Sequence, residues 1–126
     1  MSDEGSDETE ALSCDVTKYR EQLCAEPGRK AITFVGKDFP GTEGYLNALA
    51  EADGKGFFGE MTLGVLPVDS EECDHLAEAE GVEELPRTVV YDCKEGRLVK
   101  VGVVSPSQDD TEYRQAIERL IDLSEE

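Results

Sequence analysis

A helix stop, a proline and a β-branched run follow one another between Gly81 and Tyr91, and this succession constrains the chain more than anything else in it. The apolar run ending at Val68 is closed by Asp69 and Ser70, whose side chains can accept hydrogen bonds from the first free N–H groups of a following helix. That helix is acidic, and Gly81 stops it at the left-handed position where a side chain would clash. Pro86 has no amide to give to a ladder, whereas Thr88-Val89-Val90-Tyr91 behind it has the composition of a buried strand. The stretch therefore reads as strand end, acidic helix, tight turn and second strand.

At 126 residues the chain is long enough for one domain with a single core. Thirty Asp and Glu against twelve Lys and Arg give a net charge of −18, which disfavours nucleic acid and anionic membrane surfaces as partners. The acids are spread over every segment and form no spaced ligand loop, so they read as a solvated surface of the kind suited to high internal salt. Residues 1–11 carry Asp3, Glu4, Asp7, Glu8 and Glu10 with no basic residue, and are expected to form a disordered acidic tail ahead of a domain over 12–126. No apolar run approaches the roughly 18 residues of a membrane span, and the acidic start has no apolar signal core. A cytoplasmic location is the expectation.

Leu12, Val16, Tyr19 and Leu23 recur at helical spacing, with Ser13 as the expected N-cap and Pro27-Gly28 as the stop. Ala31 to Val35 is a short buried strand. Thr42 caps a second helix carrying Tyr45, Leu46, Ala48, Leu49 and Ala52. Met61 to Val68 is a strand expected at the centre of the sheet, where Pro67 is awkward unless it sits at the strand's end or on a bulge. After the organising stretch, Glu95-Gly96 turns the chain into Arg97 to Val104 as a hairpin, and Tyr113, Ala116, Ile117, Leu120 and Ile121 mark a last helix. A crossover helix between neighbouring strands implies parallel pairing, and the hairpin adds an antiparallel edge.

The order of elements, with Gly81-Val82-x-x-Leu85-Pro86 and Thr88 behind it, resembles the second half of the thioredoxin fold. The resemblance covers roughly residues 14 to 124. It implies an α/β thioredoxin-like fold: a central mixed sheet of about four strands, flanking helices and one C-terminal antiparallel hairpin. It also implies that Pro86 is a cis proline facing the active site.

Working thioredoxins place a Cys-x-x-Cys pair at the N-terminus of the helix after the first central strand, because the helix dipole lowers the attacking thiol's pKa. The matching segment here is Phe39-Pro40-Gly41-Thr42-Glu43, with Pro40 and Glu43 at the two cysteine positions. The family's buried acid is missing too, since Ala31 to Val35 contains no ionisable residue. Cys14 and Cys24 flank a helix, about 15 Å of axial rise apart, beyond disulfide reach. Cys73 and Cys93 lie at opposite ends of a strand spanning roughly 20 Å. The cysteine spacings lack the close ligand pair of a metal or cluster site, so no metal and no cofactor is expected. Buried, incidental thiols are the bland reading of the four. Cys73, near a helix N-terminus, is the candidate for a lone reactive thiol, opposed by Glu71, Glu72 and Asp74. His75 reads as a surface residue.

The expected function is a redox-inactive, thioredoxin-like protein-binding module, an adaptor or chaperone-like domain. By the resemblance, it would take an extended segment with basic flanks beside the cis-proline loop, in a groove of Phe39, Pro40, Gly41, Thr42, Glu43, Leu85 and Pro86. The alternative is an atypical thiol–disulfide oxidoreductase using a single cysteine such as Cys73. A third option, suggested by acidic thioredoxin-like calcium-storage proteins, is a low-affinity cation buffer.

Overall fold

A computed structural model describes residues 12–36, 42–106 and 113–125, so the expected tail over 1–11 lies outside the described residues. Helix and strand alternate as α1 (Val16–Leu23), β1 (Gly28–Gly36), α2 (Thr42–Gly54), β2 (Thr62–Val68) and α3 (Glu71–Ala79). The hairpin β3 (Arg87–Lys94) and β4 (Arg97–Val104) follows, and α4 (Arg114–Glu125) closes the chain. Among the described residues no helix is long and apolar enough to cross a membrane.

The four strands form one mixed sheet in the order β2-β1-β3-β4. β1 and β2 run parallel, from Lys30 opposite Thr62 to Gly36 opposite Val68. β3 runs antiparallel to β1, with Phe34 opposite Arg87, and β4 antiparallel to β3. Two expectations are corrected. β2 is an edge strand, which is why Pro67 is tolerated within it: an edge strand has ladder partners on one side alone. Parallel pairing holds across α2 but not across α3. The nine residues of α3 rise only about 13 Å, and residues 81–86 lead back to the end of the sheet that the chain left at Val68.

Local chemistry explains the element ends. Asp15, not Ser13, caps α1 by accepting from Lys18 N at 3.1 Å, while Ser13 Oγ accepts from Asp15 N. Ser70 caps α3 by accepting from Cys73 N at 3.2 Å. Gly81 takes φ +82° directly after α3, and the hairpin turns through Glu95 and Gly96, both at positive φ.

Alternate residues of β1 and β3 serve opposite faces of the sheet. Ile32, Phe34, Val89 and Tyr91 pack with Tyr19 and Leu23 of α1 and with Leu76 and Ala77 of α3. Ala31 and Val90 pack with Tyr45 and Leu49 of α2 and with Ala116, Leu120 and Leu123 of α4. Leu123 belongs to this core although the helical stripe legible in the sequence stops at Ile121.

Candidate redox site

All four cysteines are paired, across the molecule and not between sequence neighbours. Cys14 bonds to Cys73 with Cα atoms 4.8 Å apart, and Cys24 to Cys93 at 5.4 Å. Both separations suit disulfide geometry. The reading of the cysteines as incidental free thiols, and of Cys73 as a lone thiol, is therefore corrected. Neither excluded pair, Cys14 with Cys24 or Cys73 with Cys93, forms. The crossed pairs went unseen because 59 and 69 residues separate the partners, and no local pattern in a single sequence marks such contacts.

The two bridges sit on the α1/α3 face of the sheet but at opposite ends of it. Cys73 lies in the first turn of α3, which follows β2 at the end marked by Val68, Gly36 and Arg87. Cys93 lies at the other end, opposite Gly28. The first bridge thus stands at the carboxyl ends of the parallel strands, the end where open α/β sheets place their ligands. It shares that end with Pro86, whose bond to Leu85 is cis.

Burial alone does not distinguish the bridges. In each, one sulfur belongs to a buried residue, Cys73 or Cys93, and the other to a half-buried one, Cys14 or Cys24. The helix ends do distinguish them. Cys73 is placed where free N–H groups and the positive end of the α3 dipole favour a thiolate; Cys24 is the C-cap of α1, where the dipole opposes one.

Between the bridges lies a buried polar network. Tyr19 donates its hydroxyl to Tyr91 at 2.9 Å, and Tyr91 donates to Glu80 Oε1 at 2.7 Å. Arg20 donates through Nε and Nη2 to the two Glu80 oxygens at 3.2 Å each, and Lys100 donates to the Glu80 carbonyl. Glu80 is 1% exposed, so its carboxyl group depends on the donors Tyr91 and Arg20. Burial pushes both tyrosines well above the ordinary phenol value. The network joins α1, the end of α3 and β3, and was not legible in the sequence: Glu80 reads there as one more surface acid.

On the opposite face, Tyr45, Thr88 and Thr33 form a buried chain of hydroxyl contacts, 2.7 and 2.8 Å long. Burial raises Tyr45 to about 12. This chain packs the start of α2 against the strand behind Pro86. Of the groove residues, Thr42 and Glu43 open α2, while Leu85 and Pro86 are half-buried ahead of β3; the strand register places all four at one end of the sheet. Phe39, Pro40 and Gly41 lie outside the described residues. His75 is exposed on α3, and among the described residues no three His, Cys, Asp or Glu side chains gather as a metal site.

No protein-family profile and no curated protein sequence matches the chain. Solved structures do. Oxidised mitochondrial thioredoxin 3 from Saccharomyces cerevisiae aligns with TM-score 0.65 at 15% identity, over 93% of this chain and 98% of that one. Thioredoxin from Trypanosoma brucei brucei gives 0.64 at 11%, over 92% and 91%. Oxidised thioredoxin from Plasmodium falciparum gives 0.61 at 14%, over 89% and 94%. The fold is thioredoxin-like. With two disulfides in a thioredoxin-like fold, the expectation of a redox-inactive binding module is overturned.

Proposed function

We propose that the protein is an atypical thiol–disulfide oxidoreductase whose redox pair is Cys14 and Cys73. The observation that carries this reading is the Cys14–Cys73 bridge in the first turn of α3, at the carboxyl ends of the parallel strands. The likeness to thioredoxins, two of them named as oxidised forms, supports it at the level of the scaffold. A partner thiolate attacks the half-buried Cys14 Sγ. The Cys14–Cys73 bond breaks, its electron pair leaves on Cys73 Sγ, and the partner stays bound to Cys14 as a mixed disulfide. A second thiolate of the same partner then attacks the partner's own bonded sulfur and releases Cys14. The partner is oxidised by two electrons, and Cys14 and Cys73 end as thiols with the two protons. The reverse sequence reduces a partner disulfide.

The N–H groups at the start of α3 and its dipole stabilise Cys73 as the leaving thiolate, while the exposed Glu71, Glu72 and Asp74 act against it and are screened by salt. In the same reading, the partner's extended segment lies along Leu85 and Pro86, with basic flanks toward the exposed Glu43, Glu83 and Glu84.

The test is acceleration of insulin disulfide reduction by dithiothreitol. The full chain is expected to accelerate it, and both Cys14→Ser and Cys73→Ser to abolish the effect. No acceleration, or one indifferent to Cys14, sinks the proposal.

A further inference from the structure

Both ends of α1 are tied to the body of the molecule by sulfur: Cys14 precedes the helix and Cys24 caps its C-terminus. The helix is only eight residues long, too short to be stable alone in water. If both ties opened together, the position of Cys14 relative to Cys73 would rest on Tyr19, Leu23 and the Arg20–Glu80 pair. If only the first opens, α1 stays pinned at its far end.

Resting on the proposed redox role of Cys14 and Cys73, we infer that the Cys24–Cys93 disulfide is a positioning anchor. With the Tyr19–Tyr91–Glu80–Arg20 network it holds α1, with its Asp15 cap, in place while residues 12–14 swing as a short arm. Cys14 is the sulfur that carries the mixed disulfide outward, and Cys73 is the sulfur that stays in the core and closes the ring again.

Three observations converge on this division. Attack on Cys24 must expel Cys93, a buried strand residue with no helix N-terminus beneath it, whereas attack on Cys14 expels Cys73 at one. The arm has no buried residue: Ser13 N donates to Gln22 Oε1 at 2.7 Å, Ser13 Oγ accepts from Asp15 N, and Leu12 and Cys14 pack half-buried at the margin of the core. The network, in contrast, grips the middle of α1 at Tyr19 and Arg20, beyond the arm, so its hydrogen bonds need not break when the arm moves. Ring closure is the step the anchor serves. Cys73 as thiolate attacks Cys14 Sγ and expels the bound small thiol, which leaves with the electron pair. The rate depends on the local concentration of Cys14 near Cys73, which a pinned α1 keeps high.

The experiment uses the full chain in glutathione redox buffers, with acid quenching, alkylation and peptide mass mapping. Graded dithiothreitol is expected to yield first a species with Cys14 and Cys73 alkylated and Cys24–Cys93 intact. Cys73→Ser treated with oxidised glutathione is expected to carry glutathione on Cys14. The effective concentration of the Cys14–Cys73 pair, read against glutathione, is expected to drop about tenfold or more in Cys24→Ser/Cys93→Ser. Tyr19→Phe, which keeps every cysteine, should lower it by a smaller factor and serves if the double variant does not fold.

Opening of Cys24–Cys93 first overturns the anchor. So does an effective concentration that neither Cys24→Ser/Cys93→Ser nor Tyr19→Phe changes; in both cases the redox reading survives if Cys14–Cys73 still cycles. A Cys14–Cys73 bridge that glutathione and dithiothreitol leave closed in the folded protein removes the redox reading and the anchor with it.

Discussion

Tyr45 shows how much a single buried hydroxyl can say. Burial, against the smaller opposing effect of its hydrogen bond to Thr88, raises its folded pKa from 10.0 to about 12. Its charged form is the deprotonated one, so the folded state holds the phenolic proton more tightly than the unfolded chain does. The resulting stability is fully present below pH 10 and is lost as pH rises toward about 12. Tyr19 and Tyr91 are raised further, in the same direction and chiefly by burial. An alkaline absorbance titration followed in parallel by circular dichroism is therefore expected to show these three tyrosines ionising late, together with loss of the fold. Ionisation of all the tyrosines near pH 10 with the fold intact would contradict the buried networks. Such networks were illegible because the sequence shows Tyr19, Glu80 and Tyr91 as a core aromatic, a surface acid and a strand residue. Only the sheet brings the three together.

The element that carries the proposed chemistry is α3, and its start was legible where its topology was not. Asp69 and Ser70 after an apolar run announced a cap; Ser70 fills it, accepting from the amide of Cys73 at 3.2 Å. Ser70→Ala is expected to lower the denaturant midpoint by the equivalent of about 0.5–2 kcal/mol, with the dependence on denaturant unchanged. The same change frees a donor beside Cys73 but loosens the first turn that presents it, so reduction of Cys14–Cys73 by dithiothreitol should slow. Unaltered stability and unaltered reduction rate would remove α3's first turn from the account. By contrast, the edge position of β2 could not be read from Met61 to Val68, because an apolar run does not show that within β2 only Leu66 is buried while Val65 and Pro67 are exposed. Pro67 was the one residue that pointed to the edge. The antiparallel return after α3 was hidden for a related reason: Gly81 marks where the helix ends, not how far residues 81–86 travel before β3 begins.

At the scale of the molecule, local periodicity encodes the helix–strand order, and the resemblance of that order and of the Gly81–Pro86 segment to thioredoxins implied the fold class, though not the place of β2 in the sheet. The proposed function was not legible, because it rests on sulfur pairings between residues 59 and 69 positions apart. The net charge of −18 is the remaining global property, and it makes a prediction independent of the cysteines. A compact chain gathers its carboxylates more closely than an unfolded one, so self-repulsion weakens the folded state and added salt relieves it. Screening has a characteristic shape: the Debye length shortens from about 10 Å at 0.1 M to about 3 Å at 1 M, so most of the relief comes early. The thermal midpoint of the oxidised protein in potassium chloride is therefore expected to climb steeply below about 0.5 M and flatten beyond about 1 M. A strictly linear climb would point to salt acting on buried apolar surface, and a flat profile would mean that the carboxylates repel one another equally in the folded and unfolded chains.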